Sequence, residues 1–235
     1  MPEVGDPVMK NRLAGCLAAA ALFAAPCASA ADLSLAPLYK APPTEVTQAY
    51  NWTGFYFGVN GGGGWGHSFW SAQPTGVGLS GGLVGGTAGY NWQVGKVVLG
   101  LEGDIDWSGL QGTRASTPCP LGCTTSDTWL STVRGRVGYT FDRFMPYITG
   151  GLAAGDIRAA TPGFAGGTAT NAGWTVGAGL EVALPGNWTA KAEYLRVDLG
   201  GFNCGTGCGV SPTDNVSLHE NVFRAGVNYR FGWGK

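Results

Sequence analysis

The chain has 235 residues, of which 12% are charged and 44% hydrophobic, and its formal net charge is −1. Typical soluble domains carry about 25% charged residues, so the charge content is low for that class, and the near-neutral balance does not suggest a nucleic-acid partner. Outside the N-terminus there is no run of 18 or more apolar residues, which excludes a transmembrane helix in the mature chain.

The first residues have the features of an export signal. A positively charged start, an apolar stretch and the small-residue site Ala28-Ser29-Ala30 predict a signal peptide over residues 1–30, with Met9 as the predicted true start. Residues 31–50 contain three prolines and no sustained periodicity, and they are predicted to form a flexible periplasmic lead-in. The rest of the chain is therefore expected to be exported.

Eight later segments alternate apolar and polar residues with a period of two, which is the pattern of a β-strand. In the last of them, Phe223 and Val227 lie on one face and Arg224 and Arg230 on the other. The segment at 146–157 is the weakest, and the pattern does not assign its faces. The predicted strands are residues 55–65, 82–92, 96–107, 127–141, 146–157, 171–184, 188–199 and 221–231.

The predicted connections alternate between short and long. Outer-membrane barrels combine short periplasmic turns, long extracellular loops, an apolar outer face and a polar interior. The predicted fold is therefore all-β, an eight-stranded antiparallel up-and-down transmembrane β-barrel over residues 51–231, with a short C-terminal extension at 232–235. The short connections are 93–95, 142–144 and 185–187, and the long ones are 67–81, 108–126, 158–170 and 200–218.

Seven of the nine tryptophans fall at the ends of predicted strands. Tryptophan at both membrane levels is expected to form two aromatic girdles around the barrel. The periplasmic level contains Trp52, Trp92 and Trp188, and the opposite level contains Trp65, Trp107, Trp129 and Trp174.

Charged residues on the strands fall on the face opposite the apolar one. In a narrow barrel they cannot stay isolated, because an unpaired ion in low dielectric costs several kcal/mol. We therefore expect them to form a paired network that fills the lumen. The five acids are Glu102, Asp104, Asp106, Glu181 and Glu193, and the five bases are Arg134, Arg136, Lys191, Arg224 and Arg230.

The mature chain has four cysteines in two pairs of identical spacing, Cys119 with Cys123 and Cys204 with Cys208. Such pairs can bind zinc or stay free. Because an exported protein meets an oxidising compartment and both pairs lie in loop-like sequence, we favour two local disulfides over these alternatives.

The chain has only two histidines, His67 and His219, which excludes a histidine-rich metal site. His67 is near Trp65 and Phe69 and is a candidate axial ligand for haem. An exposed loop histidine in an aromatic rim is the interpretation we favour. Ser217, His219 and Glu220 supply the residue types of a hydrolase triad, but triads are recognised by geometry rather than by nearness in sequence, so no catalytic site is predicted.

Three stretches resemble a known family: Asn51-Trp-Thr-Gly-Phe-Tyr-Phe-Gly58, Gly89-Tyr-Asn-Trp92 and Arg224-Ala-Gly-Val-Asn-Tyr-Arg-Phe231. They are similar to the small outer-membrane β-barrel surface antigens of alphaproteobacteria, which are related in architecture to the OmpA transmembrane domain. The resemblance implies that the barrel-assembly machinery recognises the terminal aromatic residues Tyr229 and Phe231. Family members are described variously as structural, porin-like or hemin-binding.

These observations lead to one expected function and two alternatives. We expect a structural, surface-exposed protein of the bacterial outer membrane with long extracellular loops, a plugged lumen, no enzymatic activity and no cofactor. Its expected partners are outer-membrane lipid, the barrel-assembly machinery and host or extracellular ligands that contact the loops, without nucleic acid. The alternatives are a small-solute porin and a receptor for haem or a host surface.

Overall fold

A computed structural model describes residues 50–71, 76–116, 119–203 and 215–231. The predicted signal peptide, residues 31–49 of the predicted lead-in, the C-terminal extension, Cys204 and Cys208 lie outside these ranges. No helix in the described part of the chain is long and apolar enough to cross a membrane.

Eight antiparallel strands form a closed barrel in which each strand pairs with its neighbour in sequence and β1 pairs with β8. The number of strands, their order and the fold class agree with the prediction. The strands are β1 (Gly54–Trp70), β2 (Val77–Val94), β3 (Val97–Ser116), β4 (Cys119–Tyr139), β5 (Phe144–Ala160), β6 (Gly167–Ala183), β7 (Trp188–Asn203) and β8 (Asn215–Phe231).

The period-two alternation of the sequence becomes an outer and an inner face of the barrel. On β1, Phe57 is 57% exposed on the outer face and Tyr56 only 2% exposed on the inner one. The structure also assigns the inner and outer faces of β5, which the sequence pattern left open: Leu152 points outward and Tyr147 inward. The outer face is thus an apolar band and the inner face contains most of the buried polar side chains.

Three short turns join the strands at one end of the barrel, which we call the turn end. They are residues 95–96, 140–143 and 184–187, close to the predicted positions. Gly95 and Gly186 have φ angles of 62° and 73°, a left-handed conformation that glycine adopts without steric cost. The opposite end, where the other four connections lie, is called the loop end.

The strands are longer, and the loop-end connections shorter, than predicted. The strands have 16 to 21 residues, whereas about 9–11 tilted residues cross a membrane. The predicted loop 108–126 is largely strand, because β3 continues to Ser116 and β4 begins at Cys119. His67 likewise lies on β1 and not in a loop.

The pattern of the strands inverts as they approach the loop end. On β7, Lys191 points inward and Tyr194 outward, but further along Val197 points inward and Arg196 outward. Polar residues now face the outside and apolar ones the inside, as in a soluble barrel. The sequence prediction included these residues in the strand 188–199 but missed the inversion, because it assumed a polar interior throughout.

Apolar clusters occupy both ends of the interior. The turn-end cluster is small and includes Trp52, which lies inside the barrel at 1% exposure and not in the predicted outer girdle. Its ring packs edge-on against Tyr50 at a centroid distance of 4.8 Å. The loop-end cluster is larger and contains Trp70, Val77, Leu79, Leu83, Cys123, Leu130, Ala153, Ile157, Ala159, Leu195, Val197, Leu199, Val216, Leu218 and Val222.

Candidate functional site in the barrel interior

Nine buried charged side chains meet between the two apolar clusters, and we call them the central cluster. They come from five strands, β3, β4, β6, β7 and β8, and each points inward because it is in phase with the inner face of its strand. Nine of the ten residues of the predicted network are thus brought together. The central cluster is Glu102, Asp104, Asp106, Arg134, Arg136, Glu181, Lys191, Glu193 and Arg224.

Arg134 of β4 contacts acids from two parts of the wall. Its Nη2 lies 2.6 Å from Glu102 Oε1 and 2.7 Å from Asp104 Oδ2, both on β3. Its Nη1 lies 3.0 Å from Glu193 Oε2 on β7. One guanidinium group therefore joins strands on different sides of the barrel.

Arg224 of β8 has a similar role nearer the loop end. Its Nε donates to Glu193 Oε1 at 2.7 Å, and its Nη2 donates to Asp104 Oδ2 at 2.9 Å. Its Nη1 donates to Asp106 Oδ2 at 2.5 Å. Because guanidinium has five donors in a fixed plane, it can satisfy several carboxylates at once.

The remaining two bases lie toward the turn end. Lys191 Nζ is 2.9 Å from Glu102 Oε2, and Arg136 Nη2 is 2.5 Å from Glu181 Oε2. The guanidinium of Arg136 also stacks over the ring of Tyr147, with its carbon 4.6 Å from the ring centroid. The two tiers of the cluster are joined at Glu102, which contacts Arg134, Arg136 and Lys191.

Uncharged polar side chains complete the cluster, and the sequence reasoning did not select them. Tyr56 donates to Glu102 Oε2 at 2.7 Å, Tyr147 to Glu193 Oε2 at 3.1 Å and Asn228 to Glu181 Oε1 at 3.0 Å. Thr132 and Thr189 donate to Asp104 and Glu181. The period-two pattern of the sequence places these residues on the inner faces of their strands, and that pattern could have identified them. The prediction considered only the charged residues on those faces.

Inward-facing glycines make room for these large side chains. A Cβ atom on Gly89 would lie 2.4 Å from the hydroxyl oxygen of Tyr56, and one on Gly179 would lie 2.6 Å from that of Tyr147. A Cβ atom on Gly100 would lie 2.7 Å from Cγ of Arg136. Around the central cluster, glycine is therefore required on the strands because a larger residue would collide with the side chains inside the barrel.

Arg230, the tenth residue of the predicted network, does not contact an acid of the cluster among the described residues. Its Nη1 donates to the backbone oxygen of Thr53 at 2.9 Å, and its Nε donates to the hydroxyl of Tyr50 at 3.1 Å. The guanidinium also lies over the Tyr50 ring. Arg230 therefore fastens the chain before β1 to the end of β8, and the cluster contains five acids and four bases.

Two further acids are buried nearer the loop end. Asp127 and Glu220 are each 1% exposed, and neither forms a salt bridge within the described part of the chain. Glu220 Oε1 is buried and has no hydrogen-bond partner there. Sequence reasoning did not select either residue for the interior.

The structure places the two histidines together on the outside of the barrel. They form a direct cross-strand pair between β1 and β8, and the role of His67 toward haem stays a prediction. Within the described ranges, no group of three or more His, Cys, Asp or Glu side chains is placed to hold a metal ion.

The predicted cysteine pairs are described only in part. On β4, residues 119 and 123 pair with residues 116 and 114 of β3, so four residues of β4 cover the length of two on β3. This register shift brings Cys119 and Cys123 closer along the barrel wall than four residues of regular strand would. Both disulfides stay predictions.

The predicted assembly residues lie at the end of β8. Tyr229 and Phe231 point outward, and their ring centroids are 4.9 Å apart. Phe231 also packs against Phe57 of β1, and Tyr229 against Trp188 of β7. This aromatic group covers the outer wall where β7, β8 and β1 meet at the turn end.

Residues 15–231 match the family described as outer membrane protein beta-barrel domain. The chain is 38% identical over 242 residues to the 31 kDa outer-membrane immunogenic protein of Brucella melitensis, covering 92% of this chain and 98% of the relative. It is 34% identical over 191 residues to the 22 kDa outer membrane protein of Rhizobium leguminosarum bv. viciae, covering 81% and 83%. Among solved structures, the outer membrane protein OprG from Pseudomonas aeruginosa aligns with a TM-score of 0.48 and 14% identity, covering 76% of this chain and 97% of that one.

Proposed function

The chain belongs to the family of outer membrane protein β-barrel domains and resides in the bacterial outer membrane, and we propose that it serves there as a structural, surface-exposed protein whose lumen is plugged. The observation that carries this proposal is the central cluster, which spans the bore from β3 to β7. An eight-stranded barrel has an interior just wide enough for side chains to fill.

The layering of the interior supports a plug over a pore. A solute that travelled along the axis would have to displace the turn-end cluster, the central cluster and the loop-end cluster in turn. Breaking a buried ion pair leaves an uncompensated charge, which costs about 3–5 kcal/mol. Each of the central bases contacts at least one acid, so the passage would break several such pairs.

The outer face supports the proposed partners. Its apolar band suits contact with outer-membrane lipid, and the aromatic group formed by Tyr229 and Phe231 supports recognition by the barrel-assembly machinery. The Brucella relative is named an immunogenic protein, and we propose that the loop end of this chain is likewise the part that meets molecules outside the cell.

The test is conductance of the purified, folded monomer in planar lipid bilayers. Folding is verified in the same preparation by electrophoresis, in which the unboiled barrel should migrate faster than the boiled one. We expect little or no steady conductance. Large, stable, open channels from protein that shows the mobility difference would overturn the plugged lumen and favour the small-solute porin.

A further inference from the structure

The two histidines of the chain lie directly opposite each other across the seam that closes the barrel. His67 of β1 and His219 of β8 are Cα partners in the antiparallel register, although they come from opposite ends of the barrel sequence. Directly opposite residues have Cβ atoms about 4.5–5.5 Å apart. Two imidazole side chains at that distance can reach a common ion.

A carboxylate lies beside one of these imidazoles, within ion-pair distance but without hydrogen-bond geometry. Asp198 of β7 is the register partner of His219 on its other side, and Asp198 Oδ2 lies 3.2 Å from His219 Nδ1. A small rotation would let Asp198 accept a hydrogen bond from this ring nitrogen and leave the other nitrogen free to bind a metal, an arrangement found around many metal-binding histidines. The Phe69 ring, 5.9 Å from that of His219, further limits its orientation.

The pair is accessible from outside. His67 is exposed on the outer wall, and His219 is half-buried beside it. In the structure Nε2 of His67 leans over Gly78 of β2, about 4.0 Å from the position of a Cβ atom there. Binding of an ion shared with His219 therefore requires this exposed side chain to rotate from β2 toward β8.

We propose that His67 and His219 together bind a divalent transition-metal ion of the class that prefers imidazole ligands, such as Zn²⁺. Imidazole nitrogen is a good ligand for Zn²⁺, Cu²⁺ and Ni²⁺, and Zn²⁺ takes four ligands in a tetrahedron. Water fills the remaining positions and Asp198 acts as a positioning residue. The site is thus an open, exchangeable one on the outer wall.

Metal at this position would also join the first strand of the barrel to the last. A ligand that binds the folded state and not the unfolded one stabilises the folded state in proportion to the logarithm of its concentration over Kd. Zinc should therefore raise the temperature at which the closed barrel opens. This effect distinguishes a bridging site from a metal held by one histidine alone.

The experiment is calorimetric titration of ZnCl₂ into the folded full chain without a histidine tag, in detergent under non-reducing conditions. We expect one saturable site in the wild type and at least a tenfold loss of affinity in both His67→Ala and His219→Ala. Asp198→Asn should weaken binding about tenfold, the lower end of the range for such supporting residues. Ser217→Ala, an outward neighbour on β8, is the matched control and should bind like the wild type.

The second measurement is the temperature at which the fast-migrating electrophoretic form is lost, with and without ZnCl₂. It should rise with zinc in the wild type and in Ser217→Ala and stay constant in either histidine variant. If His67→Ala or His219→Ala does not fold, His67→Gln or His219→Gln replaces it. Wild-type affinity retained in either histidine variant, or no saturable binding in the wild type, would overturn the site.

Discussion

Lys191 Nζ lies 2.9 Å from Glu102 Oε2, and these two residues stand on β7 and β3, four strands apart in a barrel of eight. The bond therefore joins opposite walls. Lys191 and Glu102 are both almost fully buried, so water does not screen their attraction as it does on a surface. Cross-braces of this kind stiffen the barrel and occupy its bore at the same time.

Glu102→Ala should destabilise the barrel, because it removes the partner that Arg134, Arg136 and Lys191 share. Arg134 and Arg136 keep other acids, so the expected cost comes mainly from Lys191: about 3–5 kcal/mol if its charge stays fully desolvated, and less if water enters. The measurement is the temperature at which the compact electrophoretic form is lost. Thr87→Ala, an uncharged inward substitution on β2, is the control and should shift it much less; an equal shift would contradict the role of the charge.

Glu220→Gln should not lower the stability of the barrel as Glu102→Ala does. Glu220 is buried without a basic partner in the described part of the chain, and Asp127 is close enough to interact with it electrostatically. Replacing an uncompensated buried carboxylate with a neutral amide of equal size removes a desolvation cost. We expect unchanged or higher stability in the same assay. A marked loss of stability would show that Glu220 has a cationic partner.

Two adjacent glycines of β5 test the packing of the interior. A Cβ atom on Gly151 would lie 2.1 Å from the backbone oxygen of Val133, whereas one on Gly150 would be 3.5 Å from its nearest neighbour. Gly151→Ala should therefore cost about 1–3 kcal/mol or more by overpacking, and Gly150→Ala should be close to neutral. Thermal loss of the compact form measures both; equal effects would contradict the difference in packing, and a larger cost at Gly150 would mean that the inner and outer faces are exchanged.

The assignment of the lipid-facing side of the barrel can be tested by substitutions at two membrane depths on β3. Leu101 is 61% exposed in the middle of the apolar outer residues of β3, which run from Val97 to Trp107, and Val97 is 40% exposed at the turn-end start of the strand. Arginine at the membrane midplane costs about 2–4 kcal/mol, and about 0–1 kcal/mol near an interface. Leu101→Arg should lower the fraction of protein assembled in outer-membrane fractions, and Val97→Arg should lower it less. Equal assembly of both variants and the wild type would contradict the assigned membrane face.

The two predicted disulfides can be tested by mass spectrometry of protein alkylated before reduction. We expect Cys119, Cys123, Cys204 and Cys208 to be protected, because the exported chain meets an oxidising compartment. Loops this short gain little from restriction of the unfolded chain, so reduction of the disulfides in the wild-type protein should leave the thermal stability of the barrel nearly unchanged. Four alkylated cysteines without reduction would rule the bonds out.

The alternation in the sequence was sufficient to predict the strands in their membrane part, because lipid outside and charge inside impose opposite residue types on neighbours such as Phe223 and Arg224. It was not sufficient at the strand ends. Arg230 lies on the same face of β8 as Arg224, but it is closer to the turn end than the acids of the central cluster are. It therefore donates hydrogen bonds to Tyr50 and Thr53 instead. Trp52 resembles a girdle residue in sequence, yet the chain before β1 turns it into the interior.

The inversion of the pattern along β7 was missed for a related reason. Leu195 and Val197 lie on the same face of β7 as Lys191 and Glu193, but they are apolar. The polar interior therefore does not continue through them. Along β7 both faces change: the outside from apolar at Tyr194 to charged at Arg196, and the inside from charged at Glu193 to apolar at Leu195. We infer that the inversion marks the level at which the surroundings of the strand change from lipid to water. It can be recognised only when the residues of the inner and the outer face are compared with each other.

The apolar core at the loop end affects how molecules outside the cell can bind the barrel wall. The wall above the membrane is a rigid lattice in which residues distant in sequence stand side by side at fixed spacing, as Asn221 does beside Tyr194 and Arg196. A molecule that binds such a wall loses little conformational freedom in doing so, since the surface is already organised. Antibodies raised against the folded barrel should therefore recognise composite epitopes that are destroyed by boiling, even where every loop peptide is intact.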